Sequence, residues 1–517
     1  MKSKSLMMVA AVVLSSTSAM ASELRVGLQN MPPYVDPGKD HSNTGSQVYY
    51  NAFDPLIEKD YTNPQAVFKP GLATEWKQVS PTVFEIKLRD GVKFHNGDPL
   101  TVDDVVFTFE RIIKDMTPEY ASIHKQFFAN FSKVEAIDAN TVRFTTEKPE
   151  PLFETLLNAT QGSIVPKNYI MGLTGDPKIA EKADFDAFGL KPVGTGPYSV
   201  TAYQPGEQLT YSKFDGFFGE NAPFNTVSLR RISEMASRTT ALANGEVDLI
   251  SNVPPDQIDA IASNPKLKVE GAVTPLFHVV IYQTKNKKMA DKRLRQALNL
   301  AIDRDLLNEA LWQSKAIVPS THTYSQYGDL YMPELKTFEY NQKKAKELLK
   351  EAGYAGEPIR FDTDSVYYTN GLLAAQAIKE MWAAVGVNMN LNVDPKWTGA
   401  DPEMNARNWS NPMYFADPAG SFGTMWSPKG AGTAGSWSST PEYEALWERF
   451  RYSTDISERK KAYGEIMAYV KDEAPFIVLY QPYESYGMSR KIDWKPLPGH
   501  IPYVLNFRAG FISVATN

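Results

Sequence analysis

Asp103 and Asp104 are adjacent carboxylates that could serve acid–base chemistry. However, Thr101 stands three residues before Asp104, which is the spacing of a capping box, with Asp where Glu or Gln is usual. Such side chains satisfy the free backbone N–H groups at the start of a helix. The pattern therefore predicts a helix that begins at Thr101 rather than a catalytic pair.

Other residues that could support catalysis or bind a metal do not form a recognisable pattern. The chain has no G-x-S-x-G, H-E-x-x-H or G-x-x-x-x-G-K-[ST] segment. No local spacing of histidines supports a metal site, because the six are scattered singly. They are His41, His95, His124, His278, His322 and His500. We expect no catalytic residue, no metal and no cofactor.

Gly194 and Gly196 could suggest a loop that binds phosphate. Such a loop opens a helix, whose N-terminus holds the anion. Here Pro197 and Tyr198 lead instead into the strand-like run YSVTAY. The sequence therefore predicts a tight structural turn.

Tryptophan is concentrated in one part of the chain. Four of the nine tryptophans fall within 41 residues that are rich in Gly, Ser, Asn and Pro, at Trp397, Trp409, Trp426 and Trp437. Large rings in a loop can cover an apolar or stacked small ligand. Alternatively, they cap the core of one lobe. Of the four, Trp409 and Trp397 are the better candidates for ligand contacts.

Composition excludes several classes of protein. The 517 residues include 54 basic and 60 acidic groups, and the formal charge of -6 argues against nucleic-acid binding, which needs a basic surface. The absence of cysteine excludes disulfides, thiolate zinc sites and iron–sulfur clusters. With 43% apolar residues, the chain can fill the cores of roughly three domains.

The first residues have the order of a secretory signal peptide. Two lysines precede an apolar run at 6–14, and a stretch of small residues ends in Ala-Met-Ala at 19–21. We therefore expect residues 1–21 to be removed by cleavage before Ser22. Because no cysteine follows this site to accept a lipid, we expect a mature chain without a lipid anchor. Loss of the two lysines would change its net charge from -6 to -8.

The rest of the chain mixes strand and helix patterns. Residues 22–28 and 83–88 alternate as strands do. Apolar residues recur at three and four positions over 294–310, which predicts one long amphipathic helix. Helices are also predicted at 343–351 and 372–385, each followed by a glycine that ends it. This mixture favours α/β lobes.

Several blocks of sequence form a specific pattern across nearly all of the mature chain. They are LATEW at 72–76, FEIKLRDGVKFHNG at 84–97, DDVVF at 103–107, PVGTGPY at 192–198, RLRQA at 293–297, AIDR at 301–304, LLKEAGY at 348–354, EAP at 473–475 and IVLY at 477–480. In this order the blocks resemble the dipeptide/oligopeptide class, family 5, of the periplasmic solute-binding proteins of ABC transporters.

The resemblance implies an α/β fold of two lobes, the type II or Venus-flytrap periplasmic-binding fold, with an extra third domain. Lobe I would comprise 22–46, 188–271 and 476–517, the extra domain 47–187, and lobe II 272–475. The implied function is to capture peptides or peptide-like solutes between the lobes and deliver them to an ABC permease in the inner membrane. We expect a periplasmic monomer that performs no catalysis.

The resemblance also bears on the ligand. Peptide binders of this class resemble one another in an aspartate, three residues after the equivalent of Trp409, that pairs with the peptide ammonium; here that position is Pro412. Asp417 is the nearest acid and is expected to substitute. Some dipeptide binders have, at the position of Ser365, an arginine that pairs with the C-terminal carboxylate of the peptide. Because a desolvated charge without a partner is costly, an opine-like or sugar-containing conjugate is the alternative to a peptide.

We expect the ligand to be lined by polar groups that orient it and by rings that cover it. These residues are Ser42, Asn43, Tyr367, Tyr368, Trp397, Trp409 and Asp417. A second hypothesis is a secreted hydrolase of small peptides or glycosides, in which two carboxylates meet in a cleft. The missing nucleophile motifs argue against it. A third hypothesis, a receptor that hands its solute to a chemosensor, implies the same fold.

Overall fold

The computed structural model describes residues 23–39, 42–60, 67–114, 125–173, 182–336, 339–365, 368–394, 403–497 and 504–515. In chain order the strands are β1 Glu23–Leu28, β2 Ile57–Lys59, β3 Phe68–Pro70, β4 Ala73–Ser80, β5 Val83–Leu88, β6 Phe131–Ala136, β7 Thr141–Thr146, β8 Tyr198–Gln204, β9 Gln208–Lys213, β10 Thr226–Arg231, β11 Leu249–Ile250, β12 Leu267–Val273, β13 Leu276–Tyr282, β14 Ile359–Thr363, β15 Met389–Val393, β16 Ala406–Pro412, β17 Phe476–Tyr480, β18 Tyr483–Ser489, β19 Ile492–Trp494 and β20 Ile512–Val514.

The helices are α1 Asn43–Ala52, α2 Val102–Ile113, α3 Lys125–Phe128, α4 Phe153–Asn158, α5 Lys167–Met171, α6 Lys182–Leu190, α7 Met235–Ala243, α8 Ile258–Ala262, α9 Lys292–Leu300, α10 Arg304–Trp312, α11 Gln342–Glu351, α12 Gly371–Ala384, α13 Phe422–Trp426, α14 Ala431–Gly435, α15 Pro441–Tyr452 and α16 Ile456–Glu473. In the part of the chain that the structure describes, none of them is long and apolar enough to cross a membrane.

Lobe I is built on a mixed sheet with the strand order β12-β18-β11-β1-β10-β9-β8. Strand β1 pairs in parallel with β10 and β11, and it forms where the alternating pattern at 22–28 predicted a strand. Its Leu24 and Val26 are fully buried. The sheet therefore begins with the first described residues and is completed by strands near the end of the chain.

Lobe II is built on a second mixed sheet with the order β15-β14-β16-β13-β17. The predicted helices at 343–351 and 372–385 are confirmed as α11 and α12. The single long helix expected at 294–310 is wrong, because the chain turns between α9 and α10. Asp303 caps α10 by accepting a hydrogen bond from the N–H of Leu306 at 3.0 Å. The apolar spacing continues across this break because the apolar faces of both helices pack into the same hydrophobic core.

The extra domain contains an antiparallel sheet with the order β4-β5-β7-β6, against which α2 packs. The predicted start of α2 is confirmed: the N–H of Thr101 donates to Oδ2 of Asp104 at 2.9 Å. Asp104 also accepts from the N–H of Lys167 at 2.9 Å. Its carboxylate therefore has a structural role, as the capping pattern indicated.

The structure corrects three of the expected domain boundaries. The boundary at 46/47 falls inside α1 and that at 187/188 inside α6, and both helices place buried side chains such as Val48 and Phe188 in the core of lobe I. The boundary at 475/476 separates β17 from its sheet, although β17 pairs with β13 in lobe II. Chain position alone could not show these pairings.

The chain crosses between the two large sheets twice. It leaves lobe I at the end of β12 and enters lobe II at β13, through Thr274 and Pro275. It returns from β17 to β18 through Gln481 and Pro482. The N–H of Thr274 donates to the carbonyl of Pro482 at 3.0 Å, so the two crossings lie side by side.

The turn at 194–196 lies against the end of α1. A Cβ on Gly194 would be 2.1 Å from the carbonyl oxygen of Ala52, so a larger residue does not fit. A Cβ on Gly196 would be 2.6 Å from the carbonyl oxygen of Asn51. His95 holds the turn from its other side: Nδ1 accepts from the N–H of Gly194 at 3.2 Å, and Nε2 donates to the carbonyl of Gly196 at 2.9 Å. The predicted structural turn is confirmed.

Three buried histidines should make the fold sensitive to acid. Burial lowers the pKa of His95 to about 4, of His278 to about 3 and of His322 to about 4, from an ordinary value of 6.5. Because the unfolded chain takes up these protons first, their contribution to stability is complete above pH 6.5 and is lost as the pH falls toward 4. Differential scanning calorimetry should show Tm falling across this interval.

The variant His95→Gln tests the assignment, because it removes one of the three groups. Its Tm should depend less steeply on pH between 6.5 and 4 than that of the wild type, whatever its Tm at neutral pH. Parallel curves for the two proteins would show that His95 does not contribute.

Candidate ligand-binding cleft

The carboxyl ends of parallel strands in both lobes face the crossing. In lobe I, β1, β10 and β11 run in parallel, and β12 ends at the same edge at Val273. In lobe II, β14, β15 and β16 run in parallel, and β13 begins at their carboxyl edge with Leu276. Ligands of open α/β sheets bind outside the carboxyl ends of the strands. The two edges therefore enclose the candidate cleft.

Asn252 connects the two lobes at this cleft. It follows β11 in lobe I and has a left-handed backbone, with φ of 55°. Its Nδ2 donates to Oγ1 of Thr369, which precedes α12 in lobe II, at 3.5 Å. The same amide approaches Oε2 of Glu484 on β18 at 3.4 Å. The structure thus brings an amide, a hydroxyl and a buried carboxylate together between the lobes.

Trp409 lies on β16, near the carboxyl edge of the lobe II sheet. The sequence placed it in a loop, but residues 406–412 pair with β13 on one side and β14 on the other. The guanidinium of Arg407 lies 4.3 Å from the centre of the Trp409 ring, a cation–π distance. Trp409 is only partly buried, and its buried part packs against the hydrophobic core on this side of the sheet.

Tyr368 lies beside Trp409's strand. Its hydroxyl donates to Oγ of Ser410 at 3.3 Å. Its ring meets the imidazole of His278 edge-on, with centroids 5.1 Å apart. Of the expected lining residues, Tyr368 and Trp409 are therefore brought to the same end of lobe II.

The structure does not place the remaining expected lining residues with Tyr368 and Trp409. Tyr367 and Trp397 lie outside the described residues. Ser42 caps α1, since its Oγ accepts from the N–H of Gly45 at 3.0 Å, and Asn43 is the first residue of that helix. A ligand role for Ser42 and Asn43 stays a prediction.

Two of the four clustered tryptophans belong to the core. Trp426 and Trp437 are 1% and 3% exposed, and the Trp426 ring stacks on Phe476 with centroids 4.4 Å apart. For this pair the hypothesis of a capped core is confirmed. The segment is rich in glycine because of close packing: Gly430 and Gly432 lie directly against Met425, where a larger side chain does not fit. This glycine content makes the segment resemble a loop in sequence.

Asp417 has a structural partner. It is 4% exposed, and its Oδ2 accepts from Arg459 at 2.8 Å. Its Oδ1 accepts from the N–H of Ala419 at 2.8 Å. Both carboxylate oxygens therefore accept hydrogen bonds inside lobe II. We assign Asp417 a structural role in place of the expected role as partner of the peptide ammonium.

Arg407 is a candidate that the sequence interpretation missed. It is 5% exposed, and burial lowers its pKa to about 10 although the nearby Tyr368 and Asp362 favour its charge. A residue two positions before Trp409 lies on the same face of the sheet when the segment is a strand. The contact between Arg407 and Trp409 could therefore be predicted once 406–412 was assigned as a strand.

Within the described ranges, no group of three or more acidic or histidine side chains could hold a metal ion.

Residues 67–433 match the family of bacterial extracellular solute-binding proteins, family 5, middle region. The chain belongs to this family, so it is a solute-binding protein and not an enzyme. Among its relatives, the dipeptide-binding protein of Escherichia coli strain K12 is 27% identical over 448 residues, which is 79% of this chain and 80% of the relative.

Solved structures share the fold. The periplasmic binding protein DppA of Helicobacter pylori, associated with an ABC transporter and in complex with the peptide STSA, gives a TM-score of 0.85 at 24% identity and covers 96% of this chain and 98% of its own. AgaA of A. tumefacien R10, in complex with agropinic acid, gives 0.81 at 20% identity and covers 96% and 99%. The two lobes with an extra domain are thus the type II arrangement that the sequence predicted.

The structural role of Asp417 can be tested with Asp417→Asn. Loss of the carboxylate leaves Arg459 buried without its ionic partner, which should destabilise the protein by about 3 kcal/mol. Thermal unfolding should show a lower Tm, while solute affinity of the folded variant is retained. A variant with unchanged Tm and lost affinity would instead assign Asp417 to the ligand.

Proposed function

We propose that this chain is the periplasmic component of an ABC importer and that it captures peptides or peptide-like solutes in the cleft between its lobes. The observation that carries the proposal is the meeting of two carboxyl-edge surfaces at a double crossing of the chain. The peptide ligands named for the E. coli and H. pylori proteins support the same ligand class.

Capture would work as a shift between two arrangements of the lobes. A solute that contacts both edges binds the closed arrangement better than the open one and thereby populates it. A membrane permease would then recognise the closed form. Micromolar binding corresponds to a net binding free energy of about 8 kcal/mol, which remains after the costs of closure and desolvation.

The proposed lining combines Ser42 and Asn43 from lobe I with residues of lobe II. On lobe II it includes Tyr367, Tyr368, Trp397 and Trp409, joined by Arg407. The hydroxyl and amide groups would orient the solute, and the rings would cover its apolar parts.

An opine-like or sugar-containing conjugate is the second candidate ligand. It is favoured by Pro412, which replaces the charged residue that the resemblance places there, and by Asp417, whose oxygens are already engaged. The complex of AgaA with agropinic acid supports such a ligand on the same fold. A solute of this kind needs fewer fixed charges in the cleft than a zwitterionic dipeptide does.

Native mass spectrometry can identify the ligand class. Protein purified without denaturation should carry a bound solute, released intact, whose mass and fragments identify a peptide or a conjugate. Small-angle scattering should then show a smaller radius of gyration when that solute is added back to stripped protein. A radius that stays the same with and without the solute would contradict capture by closure.

The role of Trp409 can be tested with Trp409→Ala. We expect the affinity for the identified solute in titration calorimetry to fall by at least about tenfold, because a rigid aromatic surface is lost from the cleft. The matched control is Trp76→Ala, which removes a partly buried tryptophan of the extra domain whose Nε1 donates to Glu154 at 2.6 Å. Equal affinities for the two variants would remove Trp409 from the site.

A further inference from the structure

Buried arginine–carboxylate pairs join the extra domain to both lobes. Toward lobe I, Arg111 on α2 donates to the two oxygens of Asp36 at 2.9 and 3.1 Å. Toward lobe II, Arg451 on α15 donates to the two oxygens of Glu150 at 2.7 and 2.8 Å. The side chains of Glu150 and Arg451 are 0% and 6% exposed. Each pair is thus bidentate and buried.

The two junctions differ in their connection along the chain. The extra domain is inserted in lobe I, and its Phe107 and Ile170 belong to the core of that lobe. From Glu150 the chain reaches Arg451 only 301 positions later, after it has passed through lobe I and the first crossing. The extra domain is therefore expected to move with lobe I when the lobes separate.

The junction with lobe II combines apolar contacts with a cavity that is open to solvent. The cavity measures about 220 Å³, and its lining includes Gln126, Trp447 and Arg451. Beside the cavity, the ring of Phe127 contacts that of Phe415 with centroids 5.3 Å apart. Both rings belong to a buried apolar cluster that spans the junction, so the ion pair is one of several contacts made there.

The carboxylate of Glu150 is oriented by its own domain. Its Oε1 accepts from the N–H of Leu152 at 3.0 Å, and its Oε2 accepts from Nδ2 of Asn130 at 3.0 Å. Burial alone would lower the pKa of Arg451, but attraction by Glu150 more than offsets this, and the pKa is raised. The acceptor is therefore in place on the extra domain whether or not Arg451 is beside it.

We propose that Glu150 and Arg451 form a closure latch: the pair forms when lobe II meets the extra domain, and both side chains become hydrated when the lobes part. Removal of one partner leaves the other charge unpaired in the closed arrangement, whereas water solvates it in the open one. The latch thus sets the closed population and, through it, the solute affinity, without touching the solute. In this last respect the inference rests on the proposed function.

The absence of cysteine allows closure to be measured with two introduced thiols. Lys148→Cys and Glu448→Cys place one thiol on each side of the junction, where the native side chains form an exposed ion pair. A short bis-maleimide can link them only while the junction is closed. The linkage rate of purified, solute-free protein therefore reports the closed population, and no ligand is needed.

Four further changes are compared in this double-cysteine background. They are Glu150→Gln, Arg451→Met, the combination of the two, and the control Glu147→Gln, which removes an exposed carboxylate that lines the same cavity. We expect each of the first two to slow linkage by about tenfold and the combination to recover most of the rate, because no unpaired charge remains. The control should link at the parent rate.

Three results would overturn the latch. They are equal rates in all variants, complete linkage of every variant within the mixing time, and slowing by Glu147→Gln equal to that by Glu150→Gln. Circular dichroism checks that each variant is folded. If Arg451→Met is unfolded, Arg451→Lys replaces it and should slow linkage to a smaller extent, because it keeps the charge and loses the bidentate geometry. Because no solute is used, failure here is distinct from failure to find a peptide ligand.

Discussion

The double crossing of the chain is the constraint on which the candidate cleft depends. Both crossings leave each lobe at the carboxyl edge of its sheet, at Val273 and Leu276 for the first and at Tyr480 and Tyr483 for the second. The edges that suit ligand binding are therefore held against each other by covalent connection. The contacts of a solute that touches both carboxyl edges therefore depend directly on whether the lobes are open or closed.

Buried arginines connect the helices of lobe II to backbone carbonyls of the same lobe. Arg304 at the start of α10 donates from Nε to the carbonyl of Val478 on β17 at 2.6 Å, and burial lowers its pKa to about 10. Arg295 on α9 donates to the carbonyl of Met289 at 2.7 Å. Because these guanidinium groups satisfy backbone carbonyls inside the lobe, the strand that leads into the second crossing is fixed to the helices behind it.

Much of the fold could be predicted from the sequence, because its signals are local. The capping pattern at Thr101 and Asp104, the turn at Gly194 and the alternation at 22–28 each act over a few residues, and each is confirmed. The break between α9 and α10 was not predicted, since the apolar spacing is in phase on both sides of it. Which sheet β17 joins depends on a partner strand some 200 positions away, which no local pattern shows.

The candidate site was harder to predict for a similar reason. The sequence favours Asp417 as the partner of the ligand because it is an acid near Trp409, but Asp417 pairs with Arg459 on α16, a distant element. Arg407 was overlooked because glycine- and serine-rich neighbours made strand β16 resemble a loop. Charge type can be read from a sequence, whereas the pairing of a charge is decided by tertiary structure.

Pro275 and Pro482 occupy the middle of the two crossings, and this has a mechanical consequence. Without them, β12 with β18 and β13 with β17 could merge into a single ribbon running through both lobes. Proline lacks the N–H that would continue the ladder of hydrogen bonds, so the ladder is interrupted in both crossings at neighbouring positions. Each sheet can keep its own twist, and a change in the angle between the lobes would require only a few backbone torsions of the crossings to change.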